Sequence, residues 1–396
     1  MARRRSDADL PVPGGTVTAP HLLNLVGHTP VLFVDTPLPY PHDGFWAKVE
    51  CLSPGGMKAR AAVSMLTGAR SRGELRPGAP VVESTSGTLG VGLAFAGQAL
   101  GHPVVLVVDG ELEPSMRALL RAYGARLEVV DRPHPVGGWQ QARLDRLAEV
   151  RAGLPGSYWP DQYHNPDNAA GYTGLADEIA GQVDAVDVLV CSVGTGGHSA
   201  GLARALRRYW PALRLVGVDT VGSTIFGQPA RTRLMRGLGS SIHPRNVDYR
   251  AFDEVHWVGP AEAVESCRRL ATGSFVTGGW STGAVARVAA WTARTRPGAR
   301  VLTVFPDGPH RYLDSIFDDG YCTRHGLLGP TRGHPVEIHH PQAVEVTRWS
   351  RCRVVVDPVG PVGPGGAPHT GPAAQGTEPA TPHTGAAGGA RVPAWN

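Results

Sequence analysis

Short apolar runs of strand length alternate with helix-length amphipathic stretches through the middle of this chain, and that rhythm limits its fold more than any other feature. Val81 to Ser84, Pro103 to Val108, Arg126 to Val130, Val188 to Cys191, Leu213 to Asp219 and Val301 to Phe305 read as strands. Helices are expected over Gly87 to Leu100, Glu113 to Tyr123, Trp139 to Arg151, Ala169 to Gln182 and Ser199 to Tyr209. Strands apolar along their whole length are covered on both faces, and intervening helices supply the crossovers that parallel pairing needs. An α/β architecture follows, with parallel-rich twisted sheets flanked by helices. Ligands in such folds gather where strand C-termini meet helix N-termini.

Three loops stand at such places. After Cys191 comes Ser192-Val193-Gly194-Thr195-Gly196-Gly197-His198-Ser199. Its glycines let the backbone approach an anion, and the helix behind it offers free N–H groups and a positive dipole end. A phosphate site is the natural reading. A dinucleotide fingerprint needs Gly or Ala where Ser199 stands, and no Gly-Lys-Ser/Thr follows to make a nucleotide P-loop. The second loop, Thr85-Ser86-Gly87-Thr88-Leu89-Gly90, suits a carboxylate, although hydroxyls there are also ordinary helix caps. In the third, Gly278-Gly279-Trp280-Ser281-Thr282-Gly283, a hydroxyl could meet a heteroaromatic nitrogen or merely cap the helix that runs on from Ala284.

Lys48 and Lys58 are the only lysines among 38 Lys and Arg residues. In a chain that writes nearly every cation as arginine, a retained lysine points to chemistry a guanidinium cannot do. A desolvated amine can lose its proton and attack a carbonyl. Lys58 follows the tight turn Ser53-Pro54-Gly55-Gly56-Met57 and opens an apolar helix, a good place to fix one amine beside a cofactor.

The net charge of +4 is too mild to argue for nucleic acid. The apolar runs are too short to span a membrane, and Arg3, Arg4 and Arg5 are followed by no signal-like apolar region. The cysteines, Cys51, Cys191, Cys267, Cys322 and Cys352, are scattered and odd in number, which argues against disulfides and a zinc site. A cytoplasmic protein without a bound metal is expected. Residues 1–22 read as a flexible arm. Residues 331–396 read as an extension, largely disordered after about 357, where Pro, Gly, Ala and Thr dominate.

Taken in order, the motifs resemble those of the cysteine synthase and cystathionine β-synthase family of pyridoxal-phosphate enzymes, of fold type II. Gly27-His28-Thr29-Pro30 is similar to the family's Gly-Asn-Thr-Pro, and the Lys58 segment to its Pro-x-Gly-Ser-x-Lys-Asp-Arg. The Thr85 loop resembles Thr-Ser-Gly-Asn-Thr-Gly and the Gly194 loop Gly-Thr-Gly-Gly-Thr. Gln162 to Pro166 resembles Gln-Phe-x-Asn-Pro, and Phe305-Pro306-Asp307 with Arg311-Tyr312-Leu313 resembles the family's C-terminal motif. The resemblance covers nearly all of residues 23–325.

It implies a large cofactor-binding domain of residues 23–45 and 165–330 and a small mobile domain of residues 46–164. It also implies a homodimer and pyridoxal 5'-phosphate as cofactor. Lys58 would hold the cofactor covalently and then act as general base. Gly194, Thr195, Gly196, Gly197 and His198 would bind its phosphate, Ser281 would face its ring nitrogen, and Thr88 would stand beside its phenolic oxygen. Thr85, Ser86, Gly87 and Gln162 would bind the substrate carboxylate. The implied reaction is β-replacement on O-phosphoserine or O-acetylserine through an aminoacrylate. A sulfur nucleophile would give cysteine or an S-substituted cysteine such as S-sulfocysteine.

Several positions depart from the family pattern. Thr88 and Leu89 replace an Asn-Thr pair, Gly56 and Ala59 replace Ser and Asp around the lysine, and His198 replaces the last phosphate-loop threonine. Arg236 falls where acetylserine-using relatives carry a neutral residue, and it would suit a phosphate leaving group or an anionic nucleophile. Arg233 and Arg245 are lesser candidates of the same kind. Two further readings stay open within the same chemistry, an amine nucleophile giving a diaminopropionate-type product and a cystathionine β-synthase. A homologue that binds the cofactor without turnover and acts through protein contacts is the alternative of another class.

Overall fold

The computed structural model describes residues 21–360. The expected arm falls outside them except for its last two residues, and so does the expected tail beyond residue 360. Eleven strands and ten α-helices follow one another in two groups among the described residues. The first group forms a three-stranded parallel sheet, β3 (Val81–Ser84), β4 (Val104–Asp109) and β5 (Arg126–Val130). Its helices are α1 (Lys58–Ser71), α2 (Thr88–Leu100), α3 (Pro114–Ala122) and α4 (Gly138–Ala152).

The second group builds an eight-stranded sheet in the order β1-β2-β9-β6-β7-β8-β11-β10. Its centre is parallel: β2 (Phe45–Lys48), β9 (Val301–Val304), β6 (Val188–Ser192), β7 (Arg214–Thr220) and β8 (Glu254–Val258). β1 (Val31–Val34) pairs antiparallel with β2 at one end. At the other, β11 (Ser350–Cys352) runs antiparallel to β8 and carries β10 (Val336–Ile338) outside it. The helices are α5 (Pro166–Ala170), α6 (Thr173–Ala180), α7 (Gly197–Leu206), α8 (Pro260–Gly273), α9 (Trp280–Thr295) and α10 (Asp319–Arg324).

Every residue of β3, β4, β6 and β8 is buried, which explains their mostly apolar character, with Glu83, Asp109, Glu254 and His256 as buried exceptions. Three sequence expectations change. The helix expected over Ala169 to Gln182 is two, separated at Gly171 and Tyr172, and a Cβ at Gly171 would come within 2.8 Å of the Arg60 carbonyl oxygen. The helix expected from Ala284 starts earlier, at Trp280, so Ser281 lies in its first turn. Residues 46–48, assigned from sequence to the small domain, belong to β2 and pair with β9 in the larger sheet.

A buried ionic cluster ties the start of α1 to that sheet. Arg60 donates through Nε and Nη2 to Glu50 at 2.7 and 2.9 Å and through Nη1 and Nη2 to Glu178 at 2.9 Å each. No helix among the described residues is long and apolar enough to cross a membrane.

Candidate functional site

A cleft of about 680 Å³ lies where the loops after β3, β6 and β9 converge. Lys58, Thr85, Ser86, Thr88, Gln162, Gly194, Thr195, His198, Arg236 and Ser281 all line it. The structure thus brings together residues that the chain separates by more than two hundred positions. Gly87, Gly196 and Gly197 sit beside these in the same loops.

The two lysines part company here. Lys48 is fully buried, and its Nζ donates to the Thr29 carbonyl at 2.6 Å, Glu178 Oε2 at 2.7 Å and Gln182 Oε1 at 2.9 Å. All three protons of a lysine ammonium are then used, so Lys48 is structural. Lys58 opens α1 into the cleft, and its Nζ has no ion-pair partner among the described residues. Desolvation brings its amine from 10.5 down to about 8.

The turn before Lys58 is pinned by the end of β9. Met57 N–H donates to the Pro306 carbonyl at 2.8 Å, and Cys51 N–H to the Phe305 carbonyl at 3.0 Å. Gly56 has φ +61°, and a Cβ there would lie 2.4 Å from the Pro306 oxygen. Both facts demand glycine and explain why a serine is absent.

At the loop after β6, Gly196 caps α7 with φ +83°, and a Cβ there would meet the Val247 backbone at 2.5 Å. Among the described residues, no protein group accepts from the N–H of Gly194, Thr195 or Gly196. Unpaired N–H groups at a helix N-terminus, sealed in a cleft, form an anion cradle. His198 stands behind it with Nε2 buried and unpartnered, its ring edge-on to Tyr172 at 5.9 Å. Burial, with the Lys58 charge adding to it, takes the His198 imidazole down to about 3 and keeps it neutral. Asn168 holds the cradle's flank, donating through Nδ2 to the Gln162 carbonyl at 2.7 Å and Thr195 Oγ1 at 3.2 Å.

The loop after β3 is braced from the far side of the cleft by Arg311. Its guanidinium donates to the Ser86 carbonyl at 2.6 Å, to Thr88 Oγ1 at 3.1 Å and to Glu113 Oε2 at 3.1 Å. Thr88 Oγ1 thus accepts from Arg311, which leaves its O–H proton to donate. Thr85 Oγ1 accepts from Gly87 N–H at 3.0 Å, and Gln162 Nε2 donates to the Ser84 carbonyl at 2.7 Å. Gln162 is held in turn by Glu83, a buried carboxyl raised to about 8 by desolvation, which accepts the Gln162 N–H at 3.1 Å.

Ser281 Oγ lies 3.4 Å from the Gly237 carbonyl in the first turn of α9. Arg236 is not free, because it pairs with Asp109 at 3.0 Å and with Glu111. Arg245 does not line the cleft. Three residues without an assigned role from sequence also matter. Arg311 shapes the loop after β3. Asp307 accepts from Tyr312 Oη at 2.5 Å and from Gly279 N–H at 3.4 Å, which ties the end of β9 to the loop before α9. Arg143 reaches the cleft from α4 and pairs with Asp109. The motif carrying Asp307 and Arg311 is visible in sequence, but their reach across the fold is not.

A family profile described as "Pyridoxal-phosphate dependent enzyme" matches residues 22–307. The chain is 36% identical over 314 residues to the N-(2-amino-2-carboxyethyl)-L-glutamate synthase of Ralstonia nicotianae, covering 77% of this chain and 92% of that one. The solved O-acetylserine dependent cystathionine β-synthase from Helicobacter pylori matches with TM-score 0.70 and 29% identity, over 76% of this chain and 98% of its own. An O-ureido-L-serine synthase structure matches with TM-score 0.69 and 29% identity, over 76% and 96%.

Proposed function

Because this chain belongs to the pyridoxal-phosphate-dependent enzymes of the cysteine synthase and cystathionine β-synthase family, we propose that it replaces the β-substituent of an O-activated L-serine with the amino group of a carboxylate-bearing acceptor. L-glutamate is the first acceptor to test, with O-phospho-L-serine and O-acetyl-L-serine as the donors. This reverses the order read from sequence, where a sulfur nucleophile came first.

The residues present fit the cofactor. The unpaired N–H groups of Gly194, Thr195 and Gly196 suit its phosphate, and the desolvated, unpaired Lys58 amine suits its carbonyl. When bound, pyridoxal phosphate supplies an electron sink that stabilises negative charge at the substrate Cα and so lets the β-substituent leave. In this reading Lys58 holds the cofactor and moves the Cα proton. Ser281 offers a neutral hydroxyl to the ring nitrogen, which favours elimination over transamination. Thr85, Ser86 and Gly87 hold the donor carboxylate, with Arg311 and Gln162 keeping that loop in shape. A homodimer in the cytoplasm belongs to the same proposal, and light scattering of the purified protein measures the first part.

One observation carries the choice of acceptor. Of the four arginines that line the cleft, Arg143, Arg231 and Arg236 are paired with acids, while Arg233 has no carboxylate partner among the described residues. Hydrosulfide is a small monoanion with no need of a buried, uncompensated guanidinium, whereas an amino dicarboxylate has a carboxylate to offer it. The similarity to a synthase named for a glutamate adduct supports the same side. The test incubates the loaded protein with O-phosphoserine or O-acetylserine, each with L-glutamate or sulfide, and weighs the products by mass spectrometry. A glutamate adduct is expected. Cysteine alone would return the chain to the sulfur reading, and no product from any pair would favour a homologue without turnover.

A further inference from the structure

The four cleft arginines are not alike. Arg143 pairs with Asp109 and donates to Ser84 Oγ at 3.3 Å. Arg236 pairs with Asp109 and Glu111. Arg231 pairs with Glu345 at 2.5 Å. Arg233 has no carboxylate within 4.0 Å among the described residues. Its Nη2 donates to Ser241 Oγ at 3.1 Å, while its Nη1 is covered and has no partner.

That arrangement is costly as it stands. A guanidinium keeps its proton in a protein, so burial cannot be relieved by neutralisation. Desolvation works against the charge on Arg233, and the nearest acid, Asp219, offsets this only in part. Asp219 is a weak counter-charge because burial raises its own carboxyl to about 7.

The surroundings hold Arg233 in place rather than freeing it. Gly239 has φ +73°, and a Cβ there would lie 2.8 Å from Arg233 Nη1, so the absent side chain leaves room for the guanidinium. Ser241 is fixed by Gln140 of α4, whose Oε1 accepts the Ser241 N–H at 2.6 Å. A planar donor fork beside a positioned hydroxyl, at the wall of an open cleft, matches a carboxylate.

We propose that Arg233 and Ser241 form the subsite that binds a carboxylate of the acceptor amine and so sets acceptor specificity. The proposal rests on the acceptor reading above and deepens it. The donor's carboxylate has its own loop at Thr85 to Gly87, and Arg236 with its acids stands apart from both.

The test uses the full-length protein loaded with cofactor, as wild type, Arg233→Met, Arg233→Lys and Ser241→Ala. Three quantities are read: KM and kcat for L-glutamate, the spectral change on adding donor alone, and calorimetric binding of glutarate. Glutarate has both carboxylates but no amine, so its binding does not depend on turnover. Arg233→Met should raise the glutamate KM at least about tenfold and weaken glutarate binding by a similar factor, as expected for loss of a charged hydrogen bond. The kcat and the donor-only spectral change should hold. Arg233→Lys, which keeps the charge, should recover part of the loss, and Ser241→Ala should give a smaller one.

Unchanged glutarate affinity in Arg233→Met, or a wild type that binds no glutarate, would overturn the subsite. A donor-only response slowed in step with the glutamate loss would overturn it too, assigning Arg233 to the leaving group. Glutarate binding that depends on Arg233 in a wild type that never uses glutamate would sustain the subsite and sink the choice of acceptor.

Discussion

At the scale of single residues, the contrast between the two lysines decides the chemistry. Lys48 and Lys58 both sit in low-dielectric surroundings that disfavour their charge. Lys48 is compensated by three acceptors, whereas Lys58 has none among the described residues and faces the cleft. With its pKa lowered to about 8, half of the Lys58 amine is neutral near that pH, rather than near its ordinary 10.5. Capture of added pyridoxal phosphate by the apoprotein needs the neutral amine. Its rate, followed by stopped-flow absorbance, should therefore rise with pH through a midpoint near 8. Lys58→Ala should show no covalent capture at any pH. A midpoint close to 10 would mean that the amine is solvated and that its poise comes only with the cofactor.

At the scale of elements, the ionic cluster around α1 sets where Lys58 points. Glu50 is fully buried and accepts from Arg60 and from Thr29 Oγ1 at 2.5 Å, while Glu178 of α6 accepts from Arg60 and Lys48. Burial alone would raise the Glu178 carboxyl, but the hydrogen bonds from Arg60 and Lys48 outweigh it and bring it to about 2. A carboxylate with a depressed folded pKa contributes stability above its ordinary 4.5 and loses it as pH falls toward 2. Glu178→Gln should cost about 3 kcal/mol at neutral pH, because it leaves two buried cations short of a partner. It should also flatten the fall in thermal midpoint between those pH values. Equal midpoints for wild type and variant at pH 7 would show that Glu50 alone suffices.

None of this cluster is legible in the sequence, since its members lie on four separate elements. What is legible is local. The runs around β3, β4, β6 and β9 are mostly apolar, and the glycine loop between β6 and α7 announces an anion site by composition. One end of the larger sheet is not legible: β8, β10 and β11 include polar residues such as Glu254, His256 and Arg351, and the burial of these three is explained only by pairing across the sheet. The partners of Arg236 and Thr88 are equally invisible, because both are met from across the cleft.

At the scale of the whole molecule, the segment beyond residue 330 is a structural part of the enzyme. The matched family region ends at residue 307, yet β11 covers the edge of β8. Arg351 Nη2 meets the fully buried Glu254 at 2.6 Å, beside Arg296 at 2.9 Å. Trp349 is buried and donates from Nε1 to His256 Nδ1 at 3.2 Å. The same segment clamps α9: Arg351 lies over the Trp291 ring at 4.8 Å, and Arg287 lies over Trp349 at 5.5 Å. Since Ser281 stands in the first turn of α9, the extension braces the cleft from behind. Arg351→Met removes one of two cations from a buried carboxylate and should destabilise by about 3 kcal/mol, seen as a lowered thermal midpoint. A chain ended at residue 330 should do worse, because it bares the edge of β8 and the groove that Trp349 fills, and should collect in the insoluble fraction. Arg351→Met, if it folds, should still respond spectrally to donor, since no atom of Arg351 lines the cleft. A truncated chain as soluble and as heat-resistant as the full one would show that α9 stands without the brace. Loss of the donor response in Arg351→Met at full stability would instead make the extension part of the catalytic machinery rather than its support.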